Sequence, residues 1–245
     1  MLFRSSEFTT PQSTKRRFRH LKEFAIKLIL FVCAASSVFI TLGVVWTLVA
    51  EALPFFTEVT LTQFIFDKEW TPLFENAQYG ILTLVCGTLL TTLIALTVAI
   101  PLGTITAVFL SEYASEKVRE IFKPILELLA AVPTVVYGYF AMLFVTPLLQ
   151  KIIPELSSFN ALSAGLVMGI MIIPYISSLS EDAMRAVPLH YREGSLALGA
   201  SKFQTSFRVI LPAAFSGVAS AYILGISRAL GETMVVAIAS RPKWP

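Results

Sequence analysis

From Leu28 to Ala50 the chain runs 23 residues without a charge, and from Asn76 to Ser111 it runs another 36. About 20 apolar residues suffice to cross a hydrocarbon core of roughly 30 Å. A chain with two such runs must fold as membrane helices or hide them in a very large core, and 245 residues offer no such core. Only 14% of the residues are charged, whereas a soluble domain carries about a quarter. Together these facts exclude a soluble enzyme, a disordered tail and a disulfide-stapled secreted domain, and leave an all-α, multi-spanning membrane protein. Cys33 and Cys86 both lie in apolar runs and read as free thiols. His20 and His190 have no partners at metal-ligand spacing, so zinc chemistry has no support.

The run 28–50 follows Arg16, Arg17 and Arg19 and ends in Ala50-Glu51-Ala52, which imitates a signal peptide with its cleavage site. A signal core is only about 7–15 residues long, so a retained first helix is the better reading. The second span, Tyr79 to Leu110, is expected as one long helix bent near Pro101-Leu102-Gly103. A charged segment, Glu112 to Lys123, precedes a third span at about Ile125–Leu149. The fourth is Ala161–Leu179 and the fifth Ala213–Ser240, interrupted only by Arg228 and Glu232. The expected organisation is a basic arm (1–27), a first helix (28–50), a periplasmic loop (51–78), a core (79–240) and a short tail (241–245). Fourteen of the 19 Lys and Arg residues fall in the arm, in 111–124 or in 181–209; the intervening loops carry only Lys68 and Lys151. That bias puts the N-terminus and both basic loops in the cytoplasm of a cell (inner) membrane. Beside a first span, the basic arm sets topology and meets anionic lipid rather than nucleic acid.

The segment 181–212 reads as a knob rather than a plain connection. Pro188 opens a short helix, Gly199 permits a reversal, and Ser201 caps a second helix expected over Ser201–Val209. Leu211-Pro212 is expected to turn the chain back into the bilayer. Arg228 lies near the middle of the fifth span, where a charge costs roughly 2.5–3.5 kcal/mol on the gentler insertion scale. Glu232, one turn later, is expected on the same face. Two readings stand here: a self-neutralising pair, or an arginine that faces a pathway and meets an oxyanion there, held by Glu232 when the pathway is empty. Small residues recur every fourth position, Gly217, Ala221, Gly225, Ala229, Thr233 and Ala237, and mark either internal packing or a seam between subunits. Thr134 and Tyr137 offer hydroxyls in the third span. No G-x-x-x-x-G-K-[ST] loop occurs, and serines in the spans lack a base.

The spacing Glu193-Gly194-Ser195-x3-Gly199-x9-Val209-x-Leu211-Pro212 resembles the EAA loop of binding-protein-dependent ABC importer permeases. Glu193, Gly199, Leu211 and Pro212 match that pattern, while Gly194, Ser195 and Val209 depart from it in small ways. The segments 225–236, 131–150, 69–74 and 79–115 resemble the phosphate importer permeases of the PstC type. The resemblance implies a type I, MetI-like permease bundle with five spans here, one fewer at the C-terminus than the family's members have. It also implies that Glu193, Gly194, Ser195, Gly199, Leu211 and Pro212 couple the subunit to an ATPase, and that Arg228 and Glu232 serve transport. The implied partners are a second, PstA-like permease, a PstB-like ATPase dimer and a periplasmic, PstS-like phosphate-binding protein. ATP and Mg would then be bound by the ATPase and no cofactor by this chain. A permease for another oxyanion and an ion-coupled secondary transporter using Glu232 are the rivals; a plain membrane anchor has no use for paired mid-span charges.

Overall fold

A computed structural model describes residues 12–71 and 77–239, and the side chains within 22–71 and 77–236. The elements formed by the described residues are all helices, and those residues fall into two compact units, 12–67 with 71 and 77–80, and 68–70 with 81–239.

The first unit is dominated by helix α1, Gln12–Glu58. It extends beyond the expected span at both ends, so the first eight residues of the expected loop 51–78 stay helical through Glu51 and Pro54. Its apolar side chains, Phe31, Phe39 and Trp46 among them, are exposed. A short helix α2, Leu61–Phe66, follows, and Phe55, Phe56, Phe64 and Tyr79 meet edge to face at 5.1–5.8 Å. Residues 1–11, 72–76 and 240–245, which include Arg4 and the expected tail, lie outside the described residues.

The second unit is built around α7, Ala161–Arg185, which is expected as the fourth span and proves to be its axis. Helix α3, Ile81–Val108, continues through a π-helical turn, Phe109–Tyr113, as the one long helix expected for the second span. It lies against α7 with almost no side-chain spacer. A methyl group added at Gly165 would sit 2.7 Å from Ile94 Cβ, and one at Gly169 would sit 2.8 Å from the Ala95 carbonyl oxygen. In lipid there is no hydrophobic drive between helices, so close backbone approach of this kind supplies the attraction. Helix α11, Phe215–Leu230, packs on another side of α7 through Ala221, Gly225 and Ala229. At Gly217 and Gly225 an added methyl group would meet Ala183 and Ile176. The small-residue stripe therefore serves packing inside this chain as far as Ala229, and Thr233 is exposed. Thr104 on α3 and Tyr222 on α11 close the third side of the triangle with a 2.7 Å hydrogen bond.

Two expected spans are corrected. The third is not one helix over Ile125–Leu149. An amphipathic helix α4, Glu116–Ala131, ends at Val132-Pro133, both extended, because a proline disfavours helical backbone in the residue before it. The membrane-length segment is Thr134–Ile152, made of α5 (Thr134–Phe140), a π turn at Ala141–Val145, and α6 (Thr146–Ile152). The Tyr137 hydroxyl donates to the Leu129 carbonyl at 2.9 Å and that of Tyr175 to the Ala130 carbonyl at 3.2 Å. These satisfy two of the carbonyls that a helix end leaves bare. The fifth span is broken as well. Helix α11 stops at Leu230, Gly231 to Thr233 are not helical, and a short helix α12, Met234–Ala239, packs against α5.

Candidate functional site

The segment 181–212 folds as a helical knob whose turns follow from its own residues. Pro188 is extended and precedes helix α8, Leu189–Ala197. Gly199 has φ +84°, a left-handed conformation that costs a residue with a β-carbon roughly 1–2 kcal/mol. Ser201 then caps α9, Lys202–Thr205: its oxygen accepts from the Gln204 amide while the Gln204 side chain accepts from the Ser201 amide. The helix does not end near Val209. It runs on through a π turn, Ser206–Ile210, into α10, Leu211–Ala213, and bends by 75° at Ala214. The turn expected at Leu211-Pro212 thus falls two residues later, because the π turn Ser206–Ile210 just before Pro212 lets the helix pass the proline's missing N–H.

The six residues singled out on the knob divide into two sets. Glu193 and Gly194 are exposed on α8, and Glu193 lines a cavity of about 210 Å³ with Glu112, Arg192 and Lys202. Ser195 is half-buried and shares a 3.0 Å hydrogen bond with Thr205, which fixes α8 to α9. Leu211 packs against the buried cluster that includes Met184, Ile210 and Val218, while Pro212 is exposed. Around Glu193 the knob displays apolar side chains to solvent, with Leu198 91%, Leu189 64% and Phe203 63% exposed. That is a surface suited to a protein partner.

Two ionic groups beneath the knob escaped the sequence reading. Arg192 on α8 holds Glu112 of the π turn after α3 in a fork, with Nη2 2.8 Å from Oε1 and Nε 3.1 Å from Oε2. Lys123 on α4 bonds Glu181 Oε2 at 3.0 Å and also Asp182, and Arg185 lies 3.7 Å from Glu181. Burial pulls the Lys123 pKa down, but the bonds to Asp182 and Glu181 outweigh it and leave it above the ordinary lysine value. Glu181 is 1% exposed, a carboxylate that only such partners make tolerable. These pairings join residues 80 and 58 positions apart, and no local pattern announces them.

The second candidate region lies on the surface of the bundle, where Arg228 is exposed. Arg228 sits in the last turn of α11, its guanidinium carbon 5.5 Å from the ring centre of Tyr175. Glu232, expected on Arg228's face of a continuous helix, lies beyond the end of α11. Gly231 ends the helix, and the Glu232 carboxylate, 7% exposed, accepts the Met234 and Val235 amides at 3.0 and 3.3 Å. It caps α12 instead. Among the described residues no carboxylate lies within ion-pair distance of Arg228, so the self-neutralising pair is not formed. Tyr137 spends its hydroxyl proton on the Leu129 carbonyl of α4 and is not free to donate to a ligand beside Arg228.

Residues 99–240 match the family model described as the inner membrane component of binding-protein-dependent transport systems. A probable ABC transporter permease protein, YqgH, of Bacillus subtilis is 32% identical over 225 residues, 91% of this chain and 73% of its own. The phosphate transport system permease protein PstC of Xylella fastidiosa strain 9a5c is 37% identical over 193 residues, 71% of this chain and 59% of its own. PstC 1 of Mycobacterium tuberculosis is 38% identical over 184 residues, 67% of this chain and 54% of its own. The chain therefore matches between half and three-fifths of the length of these PstC relatives. A solved structure of the inward-facing MetNI methionine ABC transporter aligns with a TM-score of 0.49 at 19% identity, over 62% of this chain and 68% of that one.

Proposed function

The chain belongs to the binding-protein-dependent transport system inner membrane components, and from that premise we propose that it is the PstC-type subunit of an ATP-driven importer of inorganic phosphate. The observation that carries the substrate class is Arg228, an exposed guanidinium on an apolar helix, with an aromatic neighbour and no carboxylate partner among the described residues. A planar fork of donors matches phosphate oxygens, and an unneutralised charge within a membrane span costs too much to serve packing alone. Relatives that carry the phosphate transport name support the same substrate.

In this reading the N-terminus and the knob face the cytoplasm. A periplasmic phosphate-binding protein delivers the anion to a pathway formed with a second, PstA-like permease. A PstB-like ATPase dimer, which holds ATP and Mg, docks at the knob around Glu193, Gly194 and Ser195 and drives alternating access. Gly199, Leu211 and Pro212 set the knob's turns and its root. Arg228 meets the passing phosphate, and Glu232 acts on the pathway indirectly, by holding the α11–α12 break. The test is ATP-dependent uptake of labelled phosphate by proteoliposomes that contain all subunits. Arg228→Gln is expected to reduce uptake at least a hundredfold with subunit assembly intact, and Arg228→Lys to retain a small part of it. Wild-type uptake in Arg228→Gln would remove the basis of the reading. Uptake without ATP would point to the secondary transporter, and stronger competition by another oxyanion than by phosphate itself would reassign the substrate.

A further inference from the structure

Arg192 is bound more completely than any other side chain of the knob. Its Nη1 donates to the Val187 carbonyl at 2.7 Å and its Nη2 to the Met184 carbonyl at 2.8 Å, both at the end of α7. The remaining donors grip Glu112, through Nη2 at 2.8 Å to Oε1 and Nε at 3.2 and 3.1 Å to the two oxygens. Glu112 is itself oriented, because Ser111 donates to Oε1 at 2.8 Å and the backbone there is held in the π turn Phe109–Tyr113. With 17% and 9% side-chain exposure, the pair is shielded from water, where a charge-assisted fork is strong. Ser195, by contrast, ties α8 only to α9, within the knob. Among the described residues, Arg192 is the one hydrogen-bonded side-chain tie between α8 and the spans.

We propose that Arg192 is the positioning residue that makes α8 move as one body with the ends of α3 and α7, so that displacement of the knob by an ATPase reaches the bundle. This rests on the reading of 181–212 as the ATPase's docking point. Geometry favours transmission over mere support. The side chain binds two spanning helices at once, and both sets of acceptors sit at the helix ends nearest the knob. A push on α8 therefore acts on α3 and α7 together. Without the fork, α8 keeps its contacts to α9 and its short connection to α7 through Pro188, but loses its hold on the end of α3 and on the Met184 and Val187 carbonyls.

The experiment measures phosphate uptake and ATP hydrolysis in parallel, in proteoliposomes of the full complex with binding protein. For Arg192→Gln, the expected result is ATP hydrolysis within about twofold of wild type, with uptake per ATP lowered tenfold or more. Arg192→Lys, which keeps the charge but not the fork, is expected between the two and carries the test if the glutamine variant does not assemble. Glu112→Gln should uncouple in the same sense, and the double variant Glu112→Gln/Arg192→Gln should be no worse than the poorer single one. An unchanged uptake-to-ATP ratio in the assembled variants overturns the proposal, as does loss of the ATPase from purified Arg192→Lys complex, which would make the residue part of the dock itself. Absence of ATP-driven uptake in the wild-type complex would instead sink the reading of function on which the proposal stands.

Discussion

The contact between α3 and α7 allows a prediction whose size follows from distances. Replacing Gly169 with alanine puts a methyl carbon 2.8 Å from the Ala95 carbonyl oxygen and 3.0 Å from Val98 Cβ. The obstructing oxygen is main chain, so no rotamer change relieves it. Restoring ordinary contact means parting the helices by about 0.6 Å, and a gap of that order forfeits roughly a quarter of the dispersion energy of each atom pair it opens. Overpacking of this kind costs about 1–3 kcal/mol. Alanine recovers about 0.5–1 kcal/mol through its better helix propensity. The net expectation is a loss of about 1–2 kcal/mol, or roughly 2–8 °C in melting temperature for a chain of this size. Gly87→Ala is the matched control: it lies on α3, but an added methyl group there meets nothing within 4 Å, so only the propensity gain remains. Thermal melts of both variants in one detergent, followed by far-UV circular dichroism, are the assay. If Gly169→Ala melts at or above Gly87→Ala, the close approach is not what holds these helices.

At Gly199, where nothing crowds the α-carbon, Gly199→Ala should destabilise the α8–α9 turn by about 1–2 kcal/mol through backbone strain alone. Gly199→Asn should lose less, since asparagine tolerates this conformation better. Hydrogen exchange of the 195–205 amides tests the order, and equal protection in the two variants would contradict it. For Lys123, the raised folded-state pKa means that its bonds to Glu181 and Asp182 stabilise fully below the ordinary lysine value of 10.5 and are lost as pH rises through the higher folded value. Lys123→Gln should thus melt below wild type by the same margin at pH 7 and pH 9, with the gap closing only in stronger alkali. A gap that narrows between pH 7 and 9 would refute that sign.

What the sequence made legible was local chemistry. Pro188, Gly199 and Ser201 each impose their own backbone conformation or cap, and each acts where expected. The long run to Leu110 was legible because length and apolarity alone decide it. The fifth span failed for an instructive reason. Apolarity was read as continuity, yet Gly231 followed by Glu232 is a stop signal followed by a cap, and the carboxylate takes the amides of α12 rather than a guanidinium. In the third span Pro133, Gly138 and Pro147 signal a break, and one falls at Pro133, but the start expected at Ile125 belongs to a separate helix whose carbonyls Tyr137 and Tyr175 hold, the latter 45 residues from its acceptor. Arg192 with Glu112 is not legible in the sequence, because the partners are 80 residues apart and each alone is an ordinary charge near a helix end.

The glycine contacts along α7 also limit how this chain deforms. Gly165 and Gly169 mesh with α3 like the gaps of a rack, and Gly103 of α3 receives Ile176 in return. Sliding α7 along its axis would carry Gly165 and Gly169 away from Ile94 and Ala95, and no neighbouring α7 side chain small enough lies on that face to take their place, since the next residues on it are three or four positions away. Shear between these helices is therefore blocked, and they form a single stiff beam. Breaks in regular helix lie outside the meshed stretch, at the π turn Phe109–Tyr113 that ends α3 and at the bend at Ala214 that opens α11. Deformation of the second unit is thus expected at these breaks rather than between α3 and α7.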